Sequence, residues 1–291
     1  MPELPEVETV RRGLAPALVN HALVRVETRR GDLRVPFPPR FSERLTGRRV
    51  LGLARRAKYL LAELDKGETL VMHLGMSGRF TLHSPRHAEK HVRVRHRTPE
   101  DGSGRGPHDH VVMETEQGTR IVYTDHRRFG LMTLIATDEL PRHPLFKGLG
   151  PEPLDPKFTP KSLSAALKDK RTPIKAALVD QGIVSGIGNI YACEALFRAG
   201  ISPRRRAAAV AGPRTARLVR AIKEVLREAI KAGGSTLRDY AHADGELGEF
   251  QHAFQVYQRG GEPCPRKGCK GTIKRLVQTG RSTWYCPSCQ R

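Results

Sequence analysis

Four of the five cysteines in this 291-residue chain fall within its last 28 residues, at Cys264, Cys269, Cys286 and Cys289. The spacing is C-x4-C, sixteen residues, then C-x2-C. Each pair can bring two thiolates to one ion, and four thiolates complete the tetrahedral shell that suits one zinc. An iron site, or two disulfides under oxidising conditions, are the alternatives. With no histidine among the ligands and no open coordination position, such a zinc holds a fold rather than performs chemistry. The segment GTIKRLVQTGRSTWYC between the pairs alternates like a hairpin turning at Thr279-Gly280-Arg281. Its Lys274, Arg275 and Arg281 are either a phosphate grip or a solvated edge. Cys193 stands apart in NIYACEALF, on an apolar helical pattern where it reads as a small core residue.

The rest of the chain is strongly basic, with 51 Lys and Arg against 30 Asp and Glu and a formal net charge of +21. That excess is self-repulsive, and a polyanion relieves it. Nucleic acid leads, because counterion release drives such binding. A solubility surplus and adaptation to an unusual cytoplasm are the plainer readings. The length favours two or three compact units. No run approaches the roughly 20 apolar residues of a membrane span. MPELPEVETVRR carries carboxylates where a signal peptide has a basic then apolar run, so the expected location is the cytoplasm, at the nucleoid through DNA binding.

Val7, Val10, Leu14 and Leu18 are at helical spacing over residues 6–19, with Glu3, Glu6 and Glu8 near the positive end of the helix. Short β-rich runs follow to about residue 136: LVRVET, RRVLGLARRAKYLLAEL, TLVMHLG, GRFTLH, DHVVMET, TRIVYTD and GLMTLIA. They predict antiparallel strands in a sandwich or barrel. Polar residues 84–108 interrupt them as a long surface loop. Residues 137–160, Pro-rich from 141, read as a linker. Helices are predicted through Lys168, from Pro173, from Ile190 to Ala199 and over 213–232, the last with Leu218, Ile222, Val225 or Leu226, and Ala229 facing a core.

Pro2 follows the initiator Met, and a small second residue favours Met removal. The resulting secondary amine titrates near ~8, the range of terminal amines, and can attack a sugar C1′ to form an iminium. Position alone says little, since Pro is common there. Glu3 and Glu6 beside it can serve as proton donor and electrostatic partner, or only as helix-start acids.

MPELPEVETVRRGL closely resembles the start of the bacterial formamidopyrimidine-DNA glycosylases. The resemblance continues through RAKYL (56–60), MHLGMSG (72–78), RRFG (127–130), QGIVSGIGNIYACEALFRAGISP (181–203), GGSTLRDY (233–240) and the cysteine hairpin. It covers essentially the whole chain. It implies an α+β multidomain protein: an N-terminal antiparallel β-sandwich with flanking helices, a helix–two-turn–helix domain and a C-terminal β-hairpin zinc finger. The corresponding ranges are 1–136, with the 84–108 insertion, then a 137–160 linker, 161–250 and 251–291, with duplex DNA in the cleft between the halves.

The activity implied is bifunctional. A glycosylase removes 8-oxoguanine and formamidopyrimidines, and an abasic-site lyase cuts the strand by β,δ-elimination. Carried over by motif, Pro2 is the nucleophile, Glu3 the acid assisting sugar-ring opening, and Glu6 an orienting or relay group. Lys58, His73, Asn189 and Arg281 correspond to residues that grip phosphates, with Tyr257 a further contact. Met76, Arg127 and Phe129 resemble an insertion group that fills the space left by an everted nucleotide; seen alone, Met76 and Phe129 read as core. Ser235 to Tyr240 would cap the everted base, although a helix-ending loop has the same composition. The partner is duplex DNA with oxidised bases or abasic sites, bound by a monomer and not by a membrane protein. Two departures stand out: C-x4-C replaces the usual C-x2-C, and the usual KHDH reads Pro107-His108-Asp109-His110 after an insertion, which puts a phosphate contact there in doubt. The competing functions are an endonuclease VIII-like glycosylase for oxidised pyrimidines and a non-catalytic zinc-containing DNA-damage-binding protein.

Overall fold

The computed structural model describes residues 1–84, 102–235 and 248–291. Two compact units emerge, one of Met1–Phe146 with Ala232–Glu249 and one of Lys147–Lys231 with Phe250–Arg291.

The first unit opens with helix α1, Leu4–Leu18. It starts two residues earlier than apolar spacing alone predicts, because its first turn is capped from within. The Glu3 N–H donates to Glu6 Oε2 at 2.8 Å, and Pro5 occupies the first turn, where a missing amide is harmless. The predicted stripe of Val7, Val10, Leu14 and Leu18 is buried. Strand β1 (Leu23–Thr28), short helix α2 (Phe41–Leu45) and strands β2 (Val50–Arg56), β3 (Tyr59–Leu64), β4 (Glu68–His73) and β5 (Arg79–His83) follow. Strands β6 (Asp109–Thr115), β7 (Arg120–Thr124) and β8 (Leu131–Ala136) complete the unit's strands. The long run over 48–64 is two strands, because Ala57 takes a left-handed φ of 53° and turns the chain at Ala57–Lys58.

All pairings are antiparallel, in two four-stranded sheets ordered β1-β6-β7-β5 and β2-β3-β4-β8. One apolar core takes α1's stripe, Val26, Phe80, Met113 and Ile121 from the first sheet, and Leu60, Leu64, Leu70, Met72 and Met132 from the second. The alternation along β3, with Leu60, Ala62 and Leu64 inward, is the period-two signature of a half-buried strand.

Of the predicted 84–108 insertion, residues 85–101 lie outside the described residues. Its end is tied down: the N–H groups of Gly102, Gly104 and Gly106 donate to the buried Asp109 carboxylate at 2.7, 2.9 and 3.0 Å, and Thr124 Oγ1 adds 2.6 Å. The acid of the altered PHDH motif is thus consumed in closing a loop, and His110 is buried beside it.

The second unit carries α3 (Pro160–Leu167), α4 (Ile174–Val179), α5 (Asn189–Ala199), α6 (Arg214–Lys231) and the hairpin β9 (Lys274–Gln278) and β10 (Arg281–Tyr285). Thr159 caps α3, and Gly200 ends α5 in the left-handed conformation at φ 67°. All the core positions predicted on α6 are buried. The Pro-rich stretch is partly packed: Gly150 and Pro151 bond the 181–185 loop, and Phe158 is buried under Lys223. The hairpin turns on Thr279 and Gly280 alone, leaving Arg281 as the first strand residue. Among the described residues no helix is long and apolar enough to cross a membrane.

Leu60, fully buried where α1 and both sheets share their core, is the sensitive point. Leu60→Ala is expected to lower unfolding free energy by about 2–5 kcal/mol in urea denaturation; a change below 1 kcal/mol would contradict that shared core.

Candidate active site and metal centre

Pro2, Glu3 and Glu6 are buried at the start of α1, while Met1 is exposed. The Glu6 carboxylate is held from two sides. Oε2 accepts the Glu3 N–H, and Oε1 accepts the Ser235 N–H at 2.9 Å and its hydroxyl at 3.0 Å. Gly234, at φ 78°, permits this approach: a Cβ there would lie 3.1 Å from Glu6 Cγ and Oε1. Ser235 is therefore fastened to the helix start, and Tyr240, the other end of the expected cap, lies outside the described residues. Burial lowers the pKa of the terminal amine, here that of Met1; Glu3 and Glu6 counter this, and Lys58 and Arg127 reinforce it. An amine in this position is desolvated between two carboxylates and two cations, which enlarges its free-base fraction at neutral pH.

Lys58 is buried on the β2–β3 turn that Ala57 makes. His73 ends β4, with its Nδ1 accepting the Gly75 N–H at 2.9 Å and its ring 4.9 Å from that of Tyr59. Burial, then Lys58 and Arg34, push the His73 pKa down to about 4, with Asp125 opposing. The imidazole is neutral at pH 7, and with Nδ1 occupied as acceptor its proton sits on Nε2, a donor suited to an anionic oxygen. Arg34, exposed and near this group, was not singled out by sequence.

Met76 and Phe129 are not core. They are 40% and 45% exposed, and the Arg127 guanidinium lies over the Phe129 ring at 4.7 Å. Exposure of this degree separates both from the packed core.

In the second unit Asn189 opens α5, and its Nδ2 donates to the Ser282 carbonyl of β10 at 2.9 Å. Arg281, next to Ser282, is exposed. Tyr257 packs on Trp284 at 4.5 Å between ring centroids. Its backbone is fixed by a residue that sequence reasoning missed: the buried Glu194 carboxylate accepts the N–H groups of Gln255, Val256 and Tyr257 at 2.9, 3.0 and 2.8 Å. Burial raises the Glu194 pKa, and the three amides oppose it. No sequence signal separates Glu194 from a surface acid on a helix.

The four thiols converge, with all four Sγ atoms within 4.8 Å of one another. The Cys264–Cys289 and Cys269–Cys286 Sγ distances are 3.8 and 3.7 Å. Zinc–thiolate bonds of about 2.3 Å give a tetrahedral edge of about 3.8 Å, so the donor set fits one structural zinc. The enlarged first knuckle has its own task. Arg266 stacks on the Phe197 ring at 5.0 Å and donates to the Phe197 carbonyl, placing a cation on the C-terminal end of α5. Cys193 is core, beside Phe197 and Val256.

One zinc per chain is expected by elemental analysis. Cys286→Ser is expected to lose the metal and to lower the thermal midpoint; a metal-free wild type of unchanged midpoint would refute the structural role.

Comparison with known proteins gives three matching family models. They are the formamidopyrimidine-DNA glycosylase N-terminal domain over residues 1–132, the H2TH domain of the same enzymes over 149–241, and the zinc finger found in FPG and IleRS over 261–291. The formamidopyrimidine-DNA glycosylase of Phenylobacterium zucineum is 58% identical over 291 residues, covering 100% of both chains. The crystal structure of the MutM (Fpg) protein of Thermus thermophilus is 40% identical with a TM-score of 0.83, covering 99% of this chain and 98% of that one. Lactococcus lactis Fpg, as a mutant with Fapy-dG-containing DNA and also with abasic-site-containing DNA, is 34% identical at a TM-score of 0.84 in both. Coverage is 100% of each chain in the first complex and 99% in the second. Both compact units and the cysteine hairpin thus match one kind of protein end to end, and the chain belongs to the formamidopyrimidine-DNA glycosylase family.

Proposed function

We propose that this protein is a base-excision enzyme that removes oxidised purines from duplex DNA and then cleaves the abasic strand, with the Pro2 amine as nucleophile once Met1 is removed. The observation that carries the reading is the buried start of α1, where Pro2, Glu3 and Glu6 lie together and where burial, Lys58 and Arg127 already lower the pKa of the amine one residue ahead, that of Met1. Family membership and the lesion-containing DNA of the Lactococcus lactis complexes support the substrate class.

In this mechanism the Pro2 nitrogen lone pair forms a bond to C1′ of the everted nucleotide. The glycosidic bond breaks, and the base leaves with the bonding pair and takes up a proton. Glu3 protonates the ring oxygen as the sugar opens, giving an iminium on Pro2. Loss of the C2′ proton with cleavage of the C3′–O bond is the β-step. In the δ-step the C4′ proton is lost as the C5′–O bond breaks and the second phosphate leaves. Water then hydrolyses the iminium, releasing the unsaturated sugar fragment and restoring the Pro2 amine. Glu6 orients the helix start and, through Ser235, the base-capping segment. Lys58, neutral His73, Asn189, Tyr257 and Arg281 contact phosphates, and Met76, Arg127 and Phe129 occupy the vacated stack. Zinc, when bound, supplies no chemistry beyond holding the hairpin that presents Arg281. A non-catalytic binding protein would have no use for a desolvated terminal amine, and the oxidised-pyrimidine reading gains no specific observation.

Borohydride is expected to trap the wild type on an 8-oxoguanine:cytosine duplex, with mass spectrometry placing the adduct on Pro2. Glu3→Gln is expected to lower turnover by about 10²–10⁴-fold, the usual contribution of a positioned acid. An adduct on another amine, or full turnover with a blocked N-terminus, would sink the mechanism; faster cleavage of a thymine-glycol duplex would move the substrate to pyrimidines. Arg281→Ala is expected to weaken DNA binding and reduce the salt slope by about 1, and an unchanged slope would remove Arg281 from the phosphate contacts.

A further inference from the structure

Met76 and the Arg127–Phe129 stretch sit on different connections, β4–β5 and β7–β8, about fifty positions apart in the chain. One buried acid joins them. Asp125 is fully buried; its Oδ1 accepts the Ser77 hydroxyl at 2.6 Å, and its Oδ2 accepts the Gly130 N–H at 2.8 Å and the Tyr123 hydroxyl at 3.2 Å. Ser77 Oγ in turn accepts the Arg127 N–H at 3.0 Å. A continuous path therefore runs from Arg127 N–H to Ser77 to Asp125 and back to Gly130 N–H, enclosing Arg127, Arg128 and Phe129. The backbone of Asp125 is itself fixed, its N–H on the His108 carbonyl at 3.0 Å and its carbonyl on His110 Nε2 at 2.8 Å.

The two connections also touch without intervening side chains. A Cβ on Gly75, which has φ 64°, would lie 2.3 to 2.6 Å from the backbone of Phe129 and Gly130. A Cβ on Gly78 or Gly130 would meet the Tyr123 hydroxyl at 2.3 or 1.8 Å. No residue but glycine fits at these three positions. The Arg34 N–H, bonded to the Gly130 carbonyl at 3.0 Å, adds a third loop to the same body. Exposed loop residues ordinarily lose roughly 1–2 kcal/mol of backbone entropy each when ordered on binding; the hydrogen bonds to Ser77 and Asp125 reduce the ordering left to be done here.

We propose that Ser77 and Asp125 are positioning residues that hold Met76, Arg127 and Phe129 as one preassembled wedge, and that reading of the base opposite the lesion depends on them. The proposal rests on the reading that these three side chains fill the vacated stack. Neither Ser77 nor Asp125 touches the DNA in it. Removing the Ser77 hydroxyl leaves the Arg127 N–H without its acceptor and one Asp125 oxygen without its donor, so the Arg127 backbone is released from the Met76 connection at that point, while the Gly75–Phe129 backbone contact and the Gly130–Asp125 bond remain and the terminal carboxylates are untouched.

The test compares full-length wild type, Ser77→Ala, Ser77→Thr and Arg127→Ala in single-turnover base release from 8-oxoguanine paired with cytosine and with adenine. A second substrate, a single-stranded oligonucleotide with a preformed abasic site, has no opposite base and no stack to fill. Ser77→Ala is expected to slow release from the cytosine duplex by ~10-fold and to shift the cytosine-to-adenine ratio by at least ~5-fold. Cleavage of the single strand should stay within ~2-fold, and Ser77→Thr, which keeps the hydroxyl, should restore the ratio. Equal losses on both substrates would mean general destabilisation and overturn the proposal. So would an unchanged ratio in Ser77→Ala when Arg127→Ala shifts it, with the insertion reading left standing. An unchanged ratio in Arg127→Ala would overturn the insertion reading, and the positioning proposal with it.

Discussion

A chain terminus is tethered from one side only, so whatever fixes a terminal amine must act through the residues that follow it. Here that burden falls on α1. Its stripe from Val7 to Leu18 is sunk in the core shared by both sheets, and the Glu3–Glu6 hydrogen bond rigidifies the first turn. Without that burial the carboxylates beside Pro2 would be solvated helix-start acids, and the amine an ordinary frayed end. The same helix start reaches Ser235 through Glu6, so the terminus and the segment after α6 are secured by one carboxylate.

Much of this was legible in the sequence because it has a period or a spacing. The strand runs, the α6 stripe and the cysteine ladder were read from residues alone, and the roles proposed for Pro2, Lys58 and His73 came with the family resemblance. Other features have no local signature. Met76 and Phe129, marked as an insertion group only by the family resemblance, have by themselves the composition of core residues, from which their exposure separates them. Asp125, Glu194 and Asp109 look like any surface acid, yet each is buried and spends its oxygens on amides and hydroxyls brought from elsewhere. Such partners are set by tertiary structure, which a linear pattern does not encode. The split of the 48–64 run was missed because an alanine, not a glycine, makes the turn.

Backbone strain follows the same map. Among the described residues six non-glycine positions have positive φ, and four of them adjoin or lie within two residues of a candidate contact: Ala57 beside Lys58, Arg128 between Arg127 and Phe129, Gln258 after Tyr257, and Thr279 near Arg281. Each such conformation costs about 1–3 kcal/mol and persists only where its surroundings over-determine it. The supports are visible at Arg128, inside the Asp125 network, and at Gln258, just after the amides held by Glu194.

The cysteine hairpin grips α5 at both of its ends. Asn189, at the N-terminal end, holds the Ser282 carbonyl, and Arg266, from the enlarged knuckle, sits on the carbonyls of the C-terminal end. A module fastened to a rigid rod at two points about one helix length apart can neither swivel nor tilt on it. The arrangement is that of a splint: load on the hairpin would reach α5 at both ends, and a bound metal would brace a helix that contributes none of its ligands.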